Sequence, residues 1–357
     1  MPVICNISEV VRDALDKGIR FAVFRDRADD AVHFFGDDGI GRAPLSDSYF
    51  FAMPWNGNPE DMVRIDDCLT VEDLQTLPER RADVDKPWPS DMPRMEYLTA
   101  VSNIVNDLKE HGGKTVLCRT ITDADTHMDI PGIVSECFVR RRDATCCFMY
   151  TPVSGGWLIA SPELLVDVDG KRHRVTTMAL AGTRNAEAAD AEWDEKNVDE
   201  HDMVTDYIVQ SLADLGLDPH VSPTETLRAA NVCHICNVIE CDNCPDDLTG
   251  DMIAGKLSPT PAVCGTPKSR ALSHISVYEP HPRKFYAGYF GMAAPAGMFK
   301  AYVTLRCAQI SQTAYCIYSG SGITGASSAE NEWRETEMKA EPLKTILKQG
   351  NRTIYHT

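Results

Sequence analysis

The stretch YSGSGITGASSAENEWRETEMK, Tyr318 to Lys339, decides the reading of this chain. Its first part is a strand-like run that ends in Gly320 and Gly322, a backbone-exposing turn suited to contact with an anion. Its second part belongs to a helix predicted over about Glu330 to Leu347. Helical spacing puts Glu335 and Lys339 four apart on one face, with Glu332 on the same side. A carboxylate that binds Mg²⁺ and an ammonium that holds a substrate carboxylate could then work side by side. Taken alone, the stretch also reads as a surface helix laced with salt bridges.

Five upstream motifs have the same double character. KTVLCR (Lys114 to Arg119) puts a lysine at the start of an apolar strand beside two glycines. Burial there would lower the amine pKa and make a base, while the plainer reading is a lysine snorkelling to water. ASPELL (Ala160 to Leu165) sets Glu163 among apolar neighbours, where a carboxylic acid can stay protonated near neutral pH. The plainer reading is a surface carboxylate. MALAGTRN (Met178 to Asn185) offers Ala181, Gly182 and Thr183 for close backbone approach, or else an ordinary strand-to-helix turn. DEKNVDEHDMV (Asp194 to Val204) puts Lys196 and Glu200 four apart, as a solvated pair or as an inward magnesium ligand. SPTPAVCGTPK (Ser258 to Lys268) is a rigid loop presenting Thr260 to a pocket, or a structural loop. RKFYAGYFG (Arg283 to Gly291) and TLRCA (Thr304 to Ala308) complete the set.

Around these motifs the pattern predicts a helix over 4–17 and strands Phe21 to Arg25 and Val32 to Phe35. An irregular connection follows from Asn56 to Pro93, where the main boundary is placed. A helix over Met95 to His111 leads into the strand Lys114 to Arg119. Further strands are read at Cys146–Thr151, Trp157–Ala160 and Leu164–Val168. A long helix is read from about Ala186 to Leu215, and late strands at Tyr302–Cys307 and Ala314–Ser319. Helices and strands without a regular βαβ rhythm indicate an α+β fold.

The 357 residues carry 35 Lys plus Arg against 53 Asp plus Glu, a net charge of -18. Such a surface repels phosphate backbones and anionic lipids, so neither nucleic acid nor membrane is expected as partner. No run approaches the roughly 20 apolar residues of a spanning helix. Asp13 and Asp16 interrupt any export signal, so a cytoplasmic protein is expected, with its 13 cysteines as reduced thiols.

In order and spacing the motifs from Lys114 to Lys339 resemble those of the chorismate-binding enzymes, which include anthranilate, aminodeoxychorismate, isochorismate and salicylate synthases. The resemblance covers about residues 95–350, as a catalytic region after a variable N-terminal part (1–94). It implies layered antiparallel β-sheets flanked by helices. It also implies Mg²⁺ held by Glu200 and Glu335, and chorismate carboxylates held by Arg306 and Lys339 with the Gly320 backbone. Ala181, Gly182, Thr183, Thr260, Tyr286 and Leu305 would contact substrate. Family members resembling anthranilate synthase carry Gln where Lys114 stands, and those resembling aminodeoxychorismate synthase carry Lys where Ala181 stands. Lys114 with Ala181 is the pairing of water-using members. Lys114 would then be the base and Glu163 the acid of an isochorismate synthase, most similar to the menaquinone type. A monomer without a glutaminase subunit is expected. Salicylate synthase, which also expels pyruvate, is the alternative, as is the siderophore pathway.

Two features depart from the family. Ser258 stands where it usually has His, and Cys264 where Gly is common. Cys233-x-x-Cys236 and Cys241-x-x-Cys244 resemble a metal knuckle, although four residues between the pairs is tight for a tetrahedral site. A non-catalytic protein using these cysteines for metal binding or redox sensing is the second class of function.

Overall fold

The computed structural model describes residues 6–80, 82, 91–124 and 128–350. Two antiparallel sheets carry the fold. The first runs Gly265–Thr266, Lys114–Ala124, Ala314–Ile323, Cys307–Ile310, Gly155–Ser161, Thr145–Thr151, Arg20–Arg25, His33–Asp37. The second runs His220–Val221, Val232–Cys241, Arg174–Asn185, Leu164–Asp169, Met298–Val303, Tyr289–Ala294, Tyr49–Met53, Val63–Asp66, with Glu225–Ala229 also paired to Val232–Cys241.

Strands Thr145–Thr151 and Gly155–Ser161 are buried at every position, because both faces of the first sheet are covered. Side chains alternate between two cores, as the period of two requires. Cys147, Met149, Trp157 and Ile159 join Phe50, Val166 and Tyr302 of the second sheet in one core. Cys146, Phe148, Tyr150 and Leu158 point the other way, into a core shared with helices Ile7–Asp16, Ile130–Arg140 and Ala329–Gly350. Strands from before residue 94 thus complete both sheets, and the variable and catalytic parts share their cores.

The chain passes between the sheets at two places that matter for the site. Pro162 and Glu163 link Gly155–Ser161 of the first sheet to Leu164–Asp169 of the second. Thr304, Leu305 and Arg306 link Met298–Val303 of the second to Cys307–Ile310 of the first. The links are tied together: Ser161 Oγ donates to Val303 O at 2.6 Å, Val303 N to Glu163 O at 3.0 Å and Ala160 N to Arg306 O at 3.1 Å.

The second link corrects the strand predicted over Tyr302–Cys307. The apolar run is continuous, but the chain changes sheets within it, and Arg306 adopts a left-handed φ of 48°. The helix predicted from Ala186 starts at Glu195, because Asp194 caps it by accepting from Asn197 N at 3.0 Å. Residues 186–188 form only a 3₁₀ turn. The helix predicted over 4–17 spans Ile7–Asp16 behind its cap Asn6, and Ile4 lies outside the described residues. The irregular connection holds an edge strand, Val63–Asp66, and a four-residue helix, Val71–Leu74, with a capping box between Thr70 and Asp73. Its polar composition hid the strand, whose alternate residues face solvent; residues 83–90 of the connection lie outside the described residues.

Ser161→Ala should lower stability by about 1–2 kcal/mol, since the buried Val303 carbonyl loses its side-chain donor. The urea midpoint measures it, with an unchanged slope expected.

Candidate active site

A cleft opens where the two links meet the end of helix Glu195–Ala213 and the face of helix Ala329–Gly350. Lys114, Glu163, Ala181, Gly182, Thr183, Glu200, Tyr286, Leu305, Arg306, Gly320, Glu335 and Lys339 all line it. Residues far apart in sequence are therefore brought together. Thr260 is the exception. It is buried away from the cleft, and its carbonyl accepts from Val263 N and Cys264 N, closing the turn that brings Ala262 and Val263 to the cleft. Ser258 does not line the cleft.

Lys114 opens its strand 3% exposed, so it does not snorkel to water. Its Nζ lies 3.1 Å from Glu200 Oε2. Strand Ala314–Ile323 pairs Gly322 with Val116. A Cβ at Gly322 would sit 2.7 Å from Glu200 Oε2 and 2.8 Å from Lys114 Cε, so glycine makes room for this pair. Glu200 is turned inward and is also paired with Lys196 at 3.1 Å. Lys196 reaches on to Glu332 Oε1 at 2.9 Å and so bridges the two helices. Burial would raise the Glu200 pKa, but Lys114 and Lys196 overcome it and hold the carboxyl below its ordinary value. Glu332 moves the opposite way, because burial and the neighbouring Glu335 outweigh Lys196.

Glu335 and Lys339 share a helix face as predicted, with Nζ 2.6 Å from Oε1. Lys339 Nζ also donates to Gly320 O at 3.2 Å. Arg306 Nη1 donates to Lys339 O at 3.2 Å, and Nη2 lies 3.2 Å from His234 Nε2. His234 Nδ1 lies 2.7 Å from Gly182 O. The carbonyl can only accept, so Nδ1 carries the proton and Nε2 accepts from Arg306. Burial first, then Arg306 and Lys339, hold the His234 pKa down to about 3, so the ring is neutral. Burial also lowers Arg306, to about 10, which leaves it cationic at neutral pH.

Strand Arg174–Asn185 runs through the expected turn at Ala181–Thr183. Its pairing with Val232–Cys241 shifts register between Cys233 and Ile235, opposite Gly182. Gly182 has φ +67°, and a Cβ there would lie 3.2 Å from Asn197. The bulge is locked by Thr183 N donating to Asn197 Oδ1 at 2.8 Å.

Glu163 is 3% exposed at the first link. Burial raises its pKa to about 8 against the opposing pull of Lys114 and Lys339. One buried acid kept protonated and one buried carboxylate kept ionised thus line the same cleft.

Sequence reasoning gave neither His234 nor Lys196 a role in the site. The pattern Cys-His-Ile-Cys drew attention to its thiols, and Lys196 read as a local partner of Glu200. The cysteines do not converge: Cys236 packs with Met178 and Leu180, whereas Cys241 and Cys244 lie in the core between the sheets. The twelve cysteines of the described residues are free and buried, and Cys5 lies outside them. Among the described residues, no helix is long and apolar enough to cross a membrane.

Comparison with known proteins agrees with this geometry. The chorismate binding enzyme family model matches residues 61–348, and the chain belongs to that family. Isochorismate synthase EntC of Escherichia coli (strain K12) is 30% identical over 291 residues, 78% of this chain and 69% of the relative. Isochorismate synthase MenF of the same organism is 33% identical over 246 residues, 66% of this chain and 56% of the relative. The solved structure of that MenF, the menaquinone-specific isochorismate synthase, matches with a TM-score of 0.76 at 22% identity, covering 97% of this chain and 92% of the other. The shared fold is that of the chorismate-utilising enzymes.

The raised pKa of Glu163 has a consequence for stability. A carboxyl whose pKa is higher folded than unfolded stabilises the fold fully below the unfolded value and loses that contribution as pH rises through the folded one. Between the ordinary value of 4.5 and about 8, the wild type should therefore lose stability relative to Glu163→Gln. Melting temperatures across pH 4–9 test this. The difference should be near zero at the acid end and level off above about pH 8, at a few kcal/mol in order of magnitude.

Proposed function

We propose that this protein is an isochorismate synthase, converting chorismate to isochorismate. The single observation that carries the reading is the pairing, in one cleft, of buried Lys114 and a Glu163 that stays protonated at neutral pH. Arg306 and Lys339 receive the substrate carboxylates. Both are buried or half-buried and anchored to backbone carbonyls, which fixes the direction of their free N–H groups. Neutral His234 accepts from Arg306 and keeps the guanidinium aimed without adding charge.

In the chemical step, Lys114 acts as the free amine: its ammonium first gives a proton to solvent, and the amine then takes one from water as the water oxygen bonds to C2. The ring double bond shifts, and the C4–O bond breaks. Glu163 gives its proton to the departing hydroxyl, which leaves as water. The small Ala181 side chain leaves room for water where a lysine nucleophile would otherwise stand. One water enters and one leaves, so the reaction is an isomerisation. Proton exchange with solvent resets Lys114 and Glu163.

A magnesium ion suits the donors present. Glu200, Glu332 and Glu335 supply hard oxygens, and the buried Oε2 of Glu332 lacks a hydrogen-bond partner among the described residues. As they stand, Lys114, Lys196 and Lys339 draw these carboxylates, and among the described residues no three metal-binding side chains converge on one point. Glu200 and Glu335 would hold the ion, with water and substrate completing its shell. Bound there, it would offset the charge of a dicarboxylate entering an acidic protein. The similarity to MenF, a menaquinone-specific isochorismate synthase, supports the menaquinone pathway; a cytoplasmic monomer that needs no glutaminase belongs to the same proposal.

Incubation with chorismate and Mg²⁺, followed by chromatography, should yield isochorismate. Lys114→Ala and Glu163→Gln should each lower kcat by roughly 10²–10⁴-fold. A product mixture of salicylate and pyruvate would move the assignment to salicylate synthase, and anthranilate formed with ammonium would contradict the role of Lys114. Removing divalent ions with a chelator should abolish turnover, and Mg²⁺ should restore it. Glu200→Gln should raise the Mg²⁺ concentration needed by at least about tenfold.

A further inference from the structure

A second recess lies behind the active-site cleft and shares no lining residue with it. Trp55, Trp157 and Phe285 line it, together with His281 and Lys284. Its cations are not equivalent. Arg283 is fully engaged, since Glu279 and the carbonyls of Val263 and Val116 take its N–H groups. Lys284 is half-buried, and among the described residues no carboxylate lies within ion-pair distance of it. Among the described residues its Nζ donates only to the neutral Gln309 Oε1, at 2.9 Å. Burial accordingly pushes its pKa down. An uncompensated cation is an unexpected thing to keep half-buried in a chain of net charge -18, where carboxylates are abundant.

His281 adds a second unspent polar group. It is 6% exposed, and neither ring nitrogen has a hydrogen-bond partner of normal geometry among the described residues. Burial holds its pKa below that of a free imidazole, against weaker pulls from Glu279 and the backbone of Pro282 and Cys118. Half-buried Trp55 and the edge of Phe285 give these groups an apolar wall, backed by the fully buried Trp157. Trp157 meets Phe285 edge-on at 5.4 Å, and Trp55 covers the Arg283 guanidinium at 4.2 Å. Exposed Glu60 and Asp61 also line the recess. Their charges disfavour polyanions such as nucleotides and phosphates.

We propose that this recess is a second ligand site, for a small planar aromatic monocarboxylate. The carboxylate would pair with Lys284, and the ring would lie against Phe285 and Trp55. The site does not depend on the activity proposed above. It does touch the cleft from behind. Trp157 stacks on Tyr318 at 5.4 Å, Tyr318 stacks on Tyr286 at 5.8 Å, and both tyrosines line the cleft.

Benzoate is the probe, followed by tryptophan fluorescence and by calorimetry on the full-length chain without chorismate. Acetate supplies the charge without the ring, and benzyl alcohol the ring without the charge. Saturable binding of benzoate below about 1 mM, at least about tenfold tighter than either control, is expected. Lys284→Gln should weaken it about tenfold or more. Gln309→Glu should do the same by giving Lys284 an internal carboxylate at almost unchanged volume, which guards against misreading a folding defect. Arg306→Ala should leave the affinity unchanged. Three results would each overturn the proposal: no saturable binding, equal binding of acetate, or affinity lost in Arg306→Ala but kept in Lys284→Gln, which would put benzoate in the substrate cleft. Since binding is read directly, failure here leaves the isochorismate assay unaffected, and the reverse holds as well.

Discussion

The structure depends on the seam where the chain twice leaves one sheet for the other. A strand that changes sheets must break its ladder, and every broken ladder leaves backbone groups to satisfy. Here the two breaks satisfy each other. Ser161 Oγ donates to Val303 O, Val303 N donates to Glu163 O, and Arg306 O accepts from Ala160 N. The functional side chains at the seam therefore sit on backbone that is pinned from both sides. That is how an acid and a guanidinium, more than a hundred residues apart in sequence, come to line one cleft. It is also how Glu163 can be buried with no ion pair among the described residues: its position is fixed by main-chain bonds and not by its carboxylate.

Around the seam the charges are sorted by burial and neighbours. Glu200 has two ammonium groups against it and stays ionised, while Glu163 is dominated by burial and stays protonated. Glu332 lies between these cases, since Lys196 pulls against burial and Glu335. The same residue type thus takes different protonation states within one cleft. The contrast is what acid–base chemistry at neutral pH requires of a site built from carboxylates.

Much of this was legible in the sequence, and the parts that were not have physical causes. The helix that carries Glu332, Glu335 and Lys339 could be placed because its spacing is local, and helical geometry does the rest. The inward direction of Glu200 could be named only as one of two options, since Lys196 four residues away satisfies either. His234 was hidden because its role depends on Gly182 and Arg306, one across a bulge and the other across the seam. The change of sheet inside Thr304–Arg306 was invisible for a different reason: an apolar run looks the same whether it stays in one sheet or crosses to another. Edge strand Val63–Asp66 escaped because half of it is polar by necessity.

The bridge made by Lys196 has a consequence for how the cleft is assembled. By tying Glu200 of one helix to Glu332 of the other, the ammonium acts as a resident counter-ion. The chain can therefore gather its acidic side chains during folding with nothing borrowed from solution. A metal ion held in the proposed way would find the anchorage already built and would have to displace a tethered ammonium.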